Sequence, residues 1–169
     1  FGMMKTCGSE MFFFHPRFPD YSYSCFNIKT GKHTADYLKK GAGPNEFTSV
    51  TPIIQTYEED GDIKSLFTAI NEEKAGIFNL TKSIEKKETV LDTVFNLKWR
   101  DKSLRPFIFA FIKDDTTIFA KQSAAQITLK EYNYSLPMYL KINHKNNEIE
   151  KKYNIFTNSI TNKDAKDLN

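Results

Sequence analysis

The 169-residue sequence contains only two cysteines and three histidines, and the histidines are scattered as His15, His33 and His144. Zinc sites need about four such ligands at close spacing, so we expect no metal centre, and nothing in the sequence indicates a cofactor. Cys7 and Cys25 lie on predicted strands of one unit, so the sequence leaves their pairing open. The simpler interpretation is two small, buried apolar side chains.

Long apolar runs and blocks of one charge are also missing. No stretch of about 18 apolar residues occurs, so we expect no transmembrane segment. The net charge of +3 is small and the signs are mixed along the chain, which argues against a nucleic-acid partner. No signal-peptide pattern is visible. Because the chain begins at Phe1 rather than Met, we expect a processed or truncated protein whose targeting segment has been lost.

Strand signals, in contrast, are dense, and helix signals are sparse. Residues 21–28 alternate in polarity, Lys29–Lys32 predicts a hairpin turn with Gly31 at positive φ, and residues 33–38 return as a strand. The 15 phenylalanines and 8 tyrosines fit a β-rich globular protein. Other predicted strands are 10–14, 53–57, 63–70, 77–80, 89–97, 107–112, 116–121, 127–134, 138–143 and 148–156.

The chain also shows an internal repeat. Phe26-Asn27-Ile28 is echoed 52 positions later by Phe78-Asn79-Leu80, and a period of roughly fifty residues per four-stranded unit is typical of propeller blades. We therefore predict three blade-like units, 1–47, 48–100 and 101–156, followed by a polar loop or tail, 157–169.

A glycine-rich loop follows the first hairpin, and we predict that it is a structural joint. Gly41 and Gly43 allow positive φ, and Pro44 fixes its own φ and restricts the residue before it. Glu46 can accept hydrogen bonds from loop amides, and Phe47 can insert into a core. A phosphate cradle is the alternative, but it needs free backbone amides and a helix directly behind the loop. Pro44 removes one amide, and Thr48 to Pro52 does not begin a helix.

These segments resemble the TolB-like six-bladed β-propeller proteins of Bacteroidetes. The family typically shows a strand, a "tGk" turn, a second strand and a G-x-G-P-x-E-F/Y loop, which here are residues 26–32 and 41–47. Ala42 stands where Arg is usual, and Asn45 stands where Gly is common. The resemblance implies an exported, often lipid-anchored protein and carries no established catalytic residues. A closed propeller needs at least four blades, so three units imply half of a propeller, assembly with another copy, or an open sandwich.

No catalytic constellation emerges from the residue pattern. The acidic groups Glu58–Asp62 and Asp114-Asp115 fall in predicted hairpin tips, where water screens them, whereas acid–base pairs need desolvation. His15 is the best single histidine, although a turn role beside an apolar strand is the simpler interpretation. Aromatic residues around Phe12–Phe14, with Phe18, Tyr21 and Tyr23, could form a stacking surface for a sugar or base, but core packing explains most of them.

We therefore expect an extracytoplasmic, non-catalytic binding or scaffold module whose ligand is a glycan, peptide or protein at the propeller's axial opening or loop face. One alternative is a hydrolase or lyase with a site in a central channel. Another is a structural protein that self-associates through unpaired blade edges.

Overall fold

The computed structural model describes residues 3–53, 55–69, 71–96, 107–112, 116–122, 139–143, 145–146 and 148–153. The chain divides into two units, Phe1–Lys98 and Trp99–Asn169. Unit 1 contains two four-stranded antiparallel sheets, and unit 2 contains one. The predicted all-β architecture of four-stranded antiparallel sheets is confirmed, and it is consistent with a propeller-like fold, whose blades are sheets of this kind.

Each sheet of unit 1 is a meander in which consecutive strands are neighbours. Sheet A consists of β1 (Met4–Cys7), β2 (Glu10–Phe14), β3 (Tyr21–Asn27) and β4 (His33–Lys39). Sheet B consists of β5 (Thr56–Glu59), β6 (Asp62–Ala69), β7 (Lys74–Asn79) and β8 (Leu91–Asn96). Gly31 has a φ of 66° in the β3–β4 turn, which confirms its predicted positive φ.

The core of unit 1 lies between sheets A and B, and its centre is aromatic. One face of sheet A turns Phe12, Tyr23 and Tyr37 toward Phe78 of sheet B, with ring centroids 6.0 to 6.4 Å apart. All four side chains are at most 1% exposed. Alternation along β2 and β3 produces this face, because only every second side chain of a strand points to the same side.

Two tyrosine hydroxyl groups of sheet A form hydrogen bonds with backbone groups in segments that lie next to strands of sheet B in the chain. The Tyr23 hydroxyl accepts a hydrogen bond from the Ile53 amide at 2.6 Å and donates to the Thr51 carbonyl at 3.4 Å. The Tyr37 hydroxyl donates to the Ser83 carbonyl at 3.2 Å. Buried phenol groups need such partners, so these bonds fix how the connecting segments pass over sheet A.

The structure corrects one prediction in this unit, because a short helix stands where only strand and loop were expected. Helix α1 (Leu80–Lys86) follows β7 directly, and Asn79 caps it by accepting a hydrogen bond from the Lys82 amide at 3.0 Å. The predicted strand 77–80 therefore ends at Asn79. Asparagine is among the preferred N-cap residues because its side chain satisfies a free amide of the first turn.

The sequence echo at Asn27 and Asn79 has a structural counterpart, and a third member appears in unit 2. In each sheet the third strand ends in asparagine, at Asn27, Asn79 and Asn143. Each side-chain oxygen accepts a hydrogen bond from a backbone amide in the turn that follows, namely those of Thr30, Lys82 and Lys145. The repeat thus has a physical basis, since Asn closes local turns in this way.

Unit 2 contains sheet C, whose strands are β9 (Phe107–Ile112), β10 (Thr117–Gln122), β11 (Tyr139–Asn143) and β12 (Glu148–Tyr153). Ile118 and Ile142 are opposite one another in register and at most 2% exposed. The predicted strand 127–134, the turn at Asp114-Asp115 and the tail 157–169 lie outside the described residues.

Candidate functional site

The connections at one end of unit 1 form its candidate functional surface, which we call the loop end. It consists of the β2–β3 loop (15–20) and the described parts of the β4–β5 connection (40–53 and 55) and of the β6–β7 loop (71–73). These lie at the same end because alternate turns of a meander share an edge. Loops carried on a rigid sheet are the usual location of binding residues.

In the glycine-rich loop at this end, glycine is required because a side chain would have no space, not because the backbone has a positive φ. Among the described glycines, only Gly8, Gly31 and Gly61 have positive φ, so Gly41 and Gly43 do not use the positive φ that glycine allows. A Cβ built on Gly41 would lie 2.0 Å from Glu46 Oε2, and one on Gly43 would lie 3.0 Å from Glu46 Cδ. The Glu46 side chain folds back over both glycines and occupies the space that side chains would need.

Glu46 and Phe47 tie this loop to the two sheets. Glu46 Oε2 accepts a hydrogen bond from the Gly43 amide at 3.1 Å, and Oε1 is 2.7 Å from Lys39 Nζ. The pKa of Glu46 is lowered, chiefly by the Lys39 hydrogen bond and then by the Gly43 amide. Phe47 is fully buried and packs edge-on against Phe67 of β6, with ring centroids 4.9 Å apart. These contacts describe a joint between sheets, although the role of the loop stays a prediction.

Lys40 fixes the neighbouring β2–β3 loop. Its ammonium donates hydrogen bonds to the backbone oxygens of His15, Pro16 and Phe18. The Phe18 ring is held beside the His15 ring at a centroid distance of 5.3 Å and remains 46% exposed. A lysine offers three donors, so one side chain satisfies a loop that has no strand partner of its own.

Glu72, in the β6–β7 loop, holds this loop to the β4–β5 connection. Its Oε1 accepts hydrogen bonds from both the amide and the hydroxyl of Thr48. The other oxygen, Oε2, is buried and has no hydrogen-bond partner within the described part of the chain. The loop end is therefore braced by three charged side chains, Lys40, Glu46 and Glu72. Only Glu46 was singled out from the sequence, because Lys40 and Glu72 belong to no motif.

A serine, an aspartate and a histidine meet on sheet A, but their geometry does not match a nucleophilic triad. Ser24 Oγ lies 2.6 Å and His33 Nε2 lies 2.9 Å from the same atom, Asp36 Oδ1. In a triad the histidine stands between the other two and takes the serine proton. Here Asp36 stands between them. Burial would raise the pKa of Asp36, but the hydrogen bonds from Ser24 and His33 lower it.

The two described histidines, His15 and His33, do not share a site. His15 packs between the rings of Phe13 and Phe18 at the loop end, so it lies in a turn beside an apolar strand. His33 is exposed near the opposite turn of sheet A. His144 lies outside the described residues.

Glu10 is a buried carboxylate on the packed side of sheet A. It is 7% exposed and accepts hydrogen bonds from Asn27 Nδ2 at 3.1 Å, Thr34 Oγ1 at 2.9 Å and Cys25 Sγ at 3.5 Å. Burial would raise its pKa, but these hydrogen bonds together lower it. Burial, with the nearby carboxylate, raises the pKa of Cys25 to about 11, so Cys25 stays a neutral thiol at pH 7 and is not an activated nucleophile.

The two cysteines are free and buried. Cys7 is on β1 and Cys25 on β3, and β2 lies between them. Two strand spacings separate them by about 10 Å, beyond disulfide reach. They are therefore the small apolar core residues of the simpler interpretation.

Lys64 forms the centre of the charged cluster of sheet B. Its side chain is 9% exposed and pairs with Glu59 at 2.8 Å and with Asp92 at 2.6 Å. Burial alone would lower its pKa, but the two carboxylates raise it above its ordinary value. A paired, protonated lysine cannot act as a general base, so this cluster is best described as structural.

Two further features of the described ranges bear on partners. No group of three or more His, Cys, Asp or Glu side chains there is arranged to hold a metal ion. None of the helices there has the length and apolar character needed to cross a membrane. Asn79, which begins one glycosylation-type sequon, is fully buried.

No protein-family model matches the chain, and no curated protein matches its sequence. Among solved structures, it is similar to a protein of Bacteroides fragilis that is named as a presumed exported protein. The identity is 13%, the TM-score is 0.52, and the match covers 90% of this chain and 36% of that one. It is also similar to the dihydro-heme d1 dehydrogenase NirN, at 10% identity and a TM-score of 0.49, covering 94% of this chain and 28% of that one. The chain therefore spans little more than a third of the first of these proteins, and the likeness to it concerns the fold.

Proposed function

We propose that the chain is a non-catalytic binding or scaffold module, part of a six-bladed TolB-like propeller, that binds a glycan, peptide or protein at its loop end. The observation that carries the proposal is the bracing of three connections by Lys40, Glu46 and Glu72. Binding costs less free energy when loops are ordered beforehand.

The exposed residues of the braced loops supply the contact groups. Arg17 and Phe18 are exposed at the tip of the β2–β3 loop, and Ala42 and Asn45 are exposed in the glycine-rich loop. An exposed ring on a fixed backbone offers a rigid contact, and Arg17 offers a planar fork of donors.

The blade organisation belongs to the same proposal. Units 1–47, 48–100 and 101–156 would be three blades of the six-bladed ring, the rest coming from further chain or from another copy. The name of the Bacteroides fragilis protein supports an extracytoplasmic location, and the family resemblance supports a lipid anchor in the full-length protein. The residues encoded before Phe1 test the anchor, which requires a lipid-attachment cysteine.

Immobilised glycan and peptide arrays test the binding function. We expect the purified chain to bind members of one array, and Arg17→Ala and Phe18→Ala each to reduce that signal at least tenfold. Ile28→Ala is the matched control, because Ile28 is 50% exposed at the opposite end of sheet A. Wild-type protein that binds neither array, or equal losses in all three variants, would contradict the proposal.

A further inference from the structure

The tip of the β2–β3 loop is a β-turn whose hydrogen-bond acceptors are used inside the loop. The Phe18 amide donates to the His15 carbonyl at 3.3 Å, and Pro16 occupies the second position of the turn, which proline favours. The Lys40 ammonium binds three carbonyl oxygens of this turn, those of His15, Pro16 and Phe18. The tip therefore offers a ligand mainly donors and apolar surface.

Two cations at this tip have no carboxylate partner within the described part of the chain. Lys40 is bound by carbonyl oxygens, and the exposed Arg17 makes no hydrogen bond or ion pair there. The neighbouring Lys39 differs, because its pKa is raised first by the hydrogen bond to Glu46 and also by Asp20, the carboxylate of the β2–β3 loop. The guanidinium of Arg17 is thus left for an anion from outside.

An aromatic ring follows Arg17 directly. The Phe18 ring is 46% exposed and is supported by His15, which itself packs against Phe13 at a centroid distance of 4.6 Å. A ring supported in this way loses little freedom when a flat apolar surface stacks on it, and the less polar side of a sugar ring is such a surface. An extended peptide would instead need backbone acceptors, and this turn uses its acceptors internally.

The tip stays accessible in the proposed blade organisation. Sheets stack on one another through their faces, whereas residues 15–20 connect two strands at the end of sheet A. Further chain packed on a face of sheet A therefore does not have to cover Arg17 or the exposed part of Phe18. Because Lys40 already holds the turn, little free energy is needed to order it on binding.

We propose that the ligand of the loop end is an anionic glycan, whose carboxylate or sulfate group binds Arg17 and whose sugar ring stacks on Phe18. This inference rests on the proposed loop-end function and narrows its ligand to one chemical class. The planar guanidinium matches the paired oxygens of a carboxylate or sulfate, and a neutral glycan would leave its charge unused. Lys40 adds positive potential at the turn while it keeps its carbonyl partners.

Biolayer interferometry of the full chain on immobilised polygalacturonate, dextran sulfate, dextran and polyglutamate tests the ligand class. We expect the wild type to bind at least one of the two anionic glycans at least tenfold more tightly than it binds dextran or polyglutamate. The preference between polygalacturonate and dextran sulfate distinguishes a carboxylate from a sulfate ligand. Raising the salt from about 0.1 M to about 1 M should weaken the binding, because the screening length falls from about 10 Å to about 3 Å.

Variants at exposed positions identify the contacts, and circular dichroism verifies that each one folds. Arg17→Ala and Phe18→Ala should each weaken binding at least tenfold, and Arg17→Lys should weaken it less than Arg17→Ala because the charge remains. The matched control is Lys32→Ala, which removes the same charge from an exposed position in the β3–β4 turn at the other end of sheet A. Binding unaffected by Arg17→Ala, or weakened equally by Lys32→Ala, would overturn the inference.

Failure of this inference can be distinguished from failure of the loop-end function. Tight binding of dextran or polyglutamate that requires Arg17 or Phe18 would overturn the anionic-glycan class and leave the loop-end function standing. A wild type that binds none of the four surfaces would also overturn the class, and the glycan and peptide arrays then decide the loop-end function separately.

Discussion

Replacing Tyr23 by phenylalanine isolates the effect of one hydroxyl group in the core of unit 1. The ring keeps its contacts with Phe12, Phe14 and Phe78, so packing is nearly unchanged. What is lost is the acceptor 2.6 Å from the Ile53 amide, together with the longer hydrogen bond that the hydroxyl donates to the Thr51 carbonyl. Ile53 is 5% exposed, and a buried donor left without a partner costs about 1–3 kcal/mol. We expect the free energy of unfolding to fall by that amount.

Tyr37→Phe is the matched control for this experiment. Tyr37 is equally buried, but its hydroxyl only donates, to the Ser83 carbonyl at 3.2 Å. A carbonyl has a second lone pair and tolerates the loss better, so about 0.5–1.5 kcal/mol is expected. The larger cost should therefore belong to Tyr23.

Urea unfolding followed by circular dichroism measures both costs, and hydrogen exchange of the Ile53 amide reports the local change. We expect faster exchange at Ile53 in Tyr23→Phe and normal exchange in Tyr37→Phe. If Tyr23→Phe costs no more than Tyr37→Phe, or if Ile53 stays protected, the amide has found another acceptor and the reasoning is wrong.

Three other changes test separate features. Asn79→Ala removes the α1 cap, worth about 1–2 kcal/mol, and also the hydrogen bonds that Asn79 Nδ2 donates to Asp62 and Asp92. We therefore expect at least that loss in urea unfolding, and a smaller loss would count against this role of Asn79. Gly41→Ala should destabilise the protein in the wild-type background but not in the Glu46→Ala background, because the added Cβ clashes with the Glu46 side chain. If Gly41→Ala lowers the free energy of unfolding in urea equally in both backgrounds, the cause lies in the backbone instead. Glu10 has a lowered folded pKa, so its contribution is present above the ordinary value of about 4.3 and is lost as pH falls through the folded value. In Glu10→Gln, the stability measured by thermal unfolding should fall less steeply as the pH is lowered through this range. A dependence of stability on pH equal to that of the wild type would refute the assignment of this effect to Glu10.

Much of the fold of unit 1 could be predicted because its signals are local. The hairpin turn at Gly31 depends on a backbone conformation that glycine reaches at little cost. The echo between Asn27 and Asn79 indicated a repeat because both side chains close the turn directly behind them. These contacts join residues that are three positions apart, so the local sequence is enough to predict them.

The errors arise where a contact joins distant or irregular segments. Helix α1 has only seven residues, too few for a clear helical period, and its first residue, Leu80, was predicted to be the end of a strand. The sequence indicated only that the glycines at 41 and 43 allow positive φ, whereas in the structure the side chain of Glu46 folds back over them. Lys40 and Glu72 were missed because no sequence pattern connects Lys40 with the loop carbonyls that it binds. The same holds for Glu72 and Thr48.

The position of Phe78 has a consequence for how the molecule is assembled. Three aromatic rings from the first forty residues pack against the ring of Phe78, which itself lies much later in the chain. A peptide ending at residue 47 would leave those three rings facing water on one side. We therefore expect such a truncated peptide to stay unfolded, and the first sheet to gain order only once synthesis has passed β7.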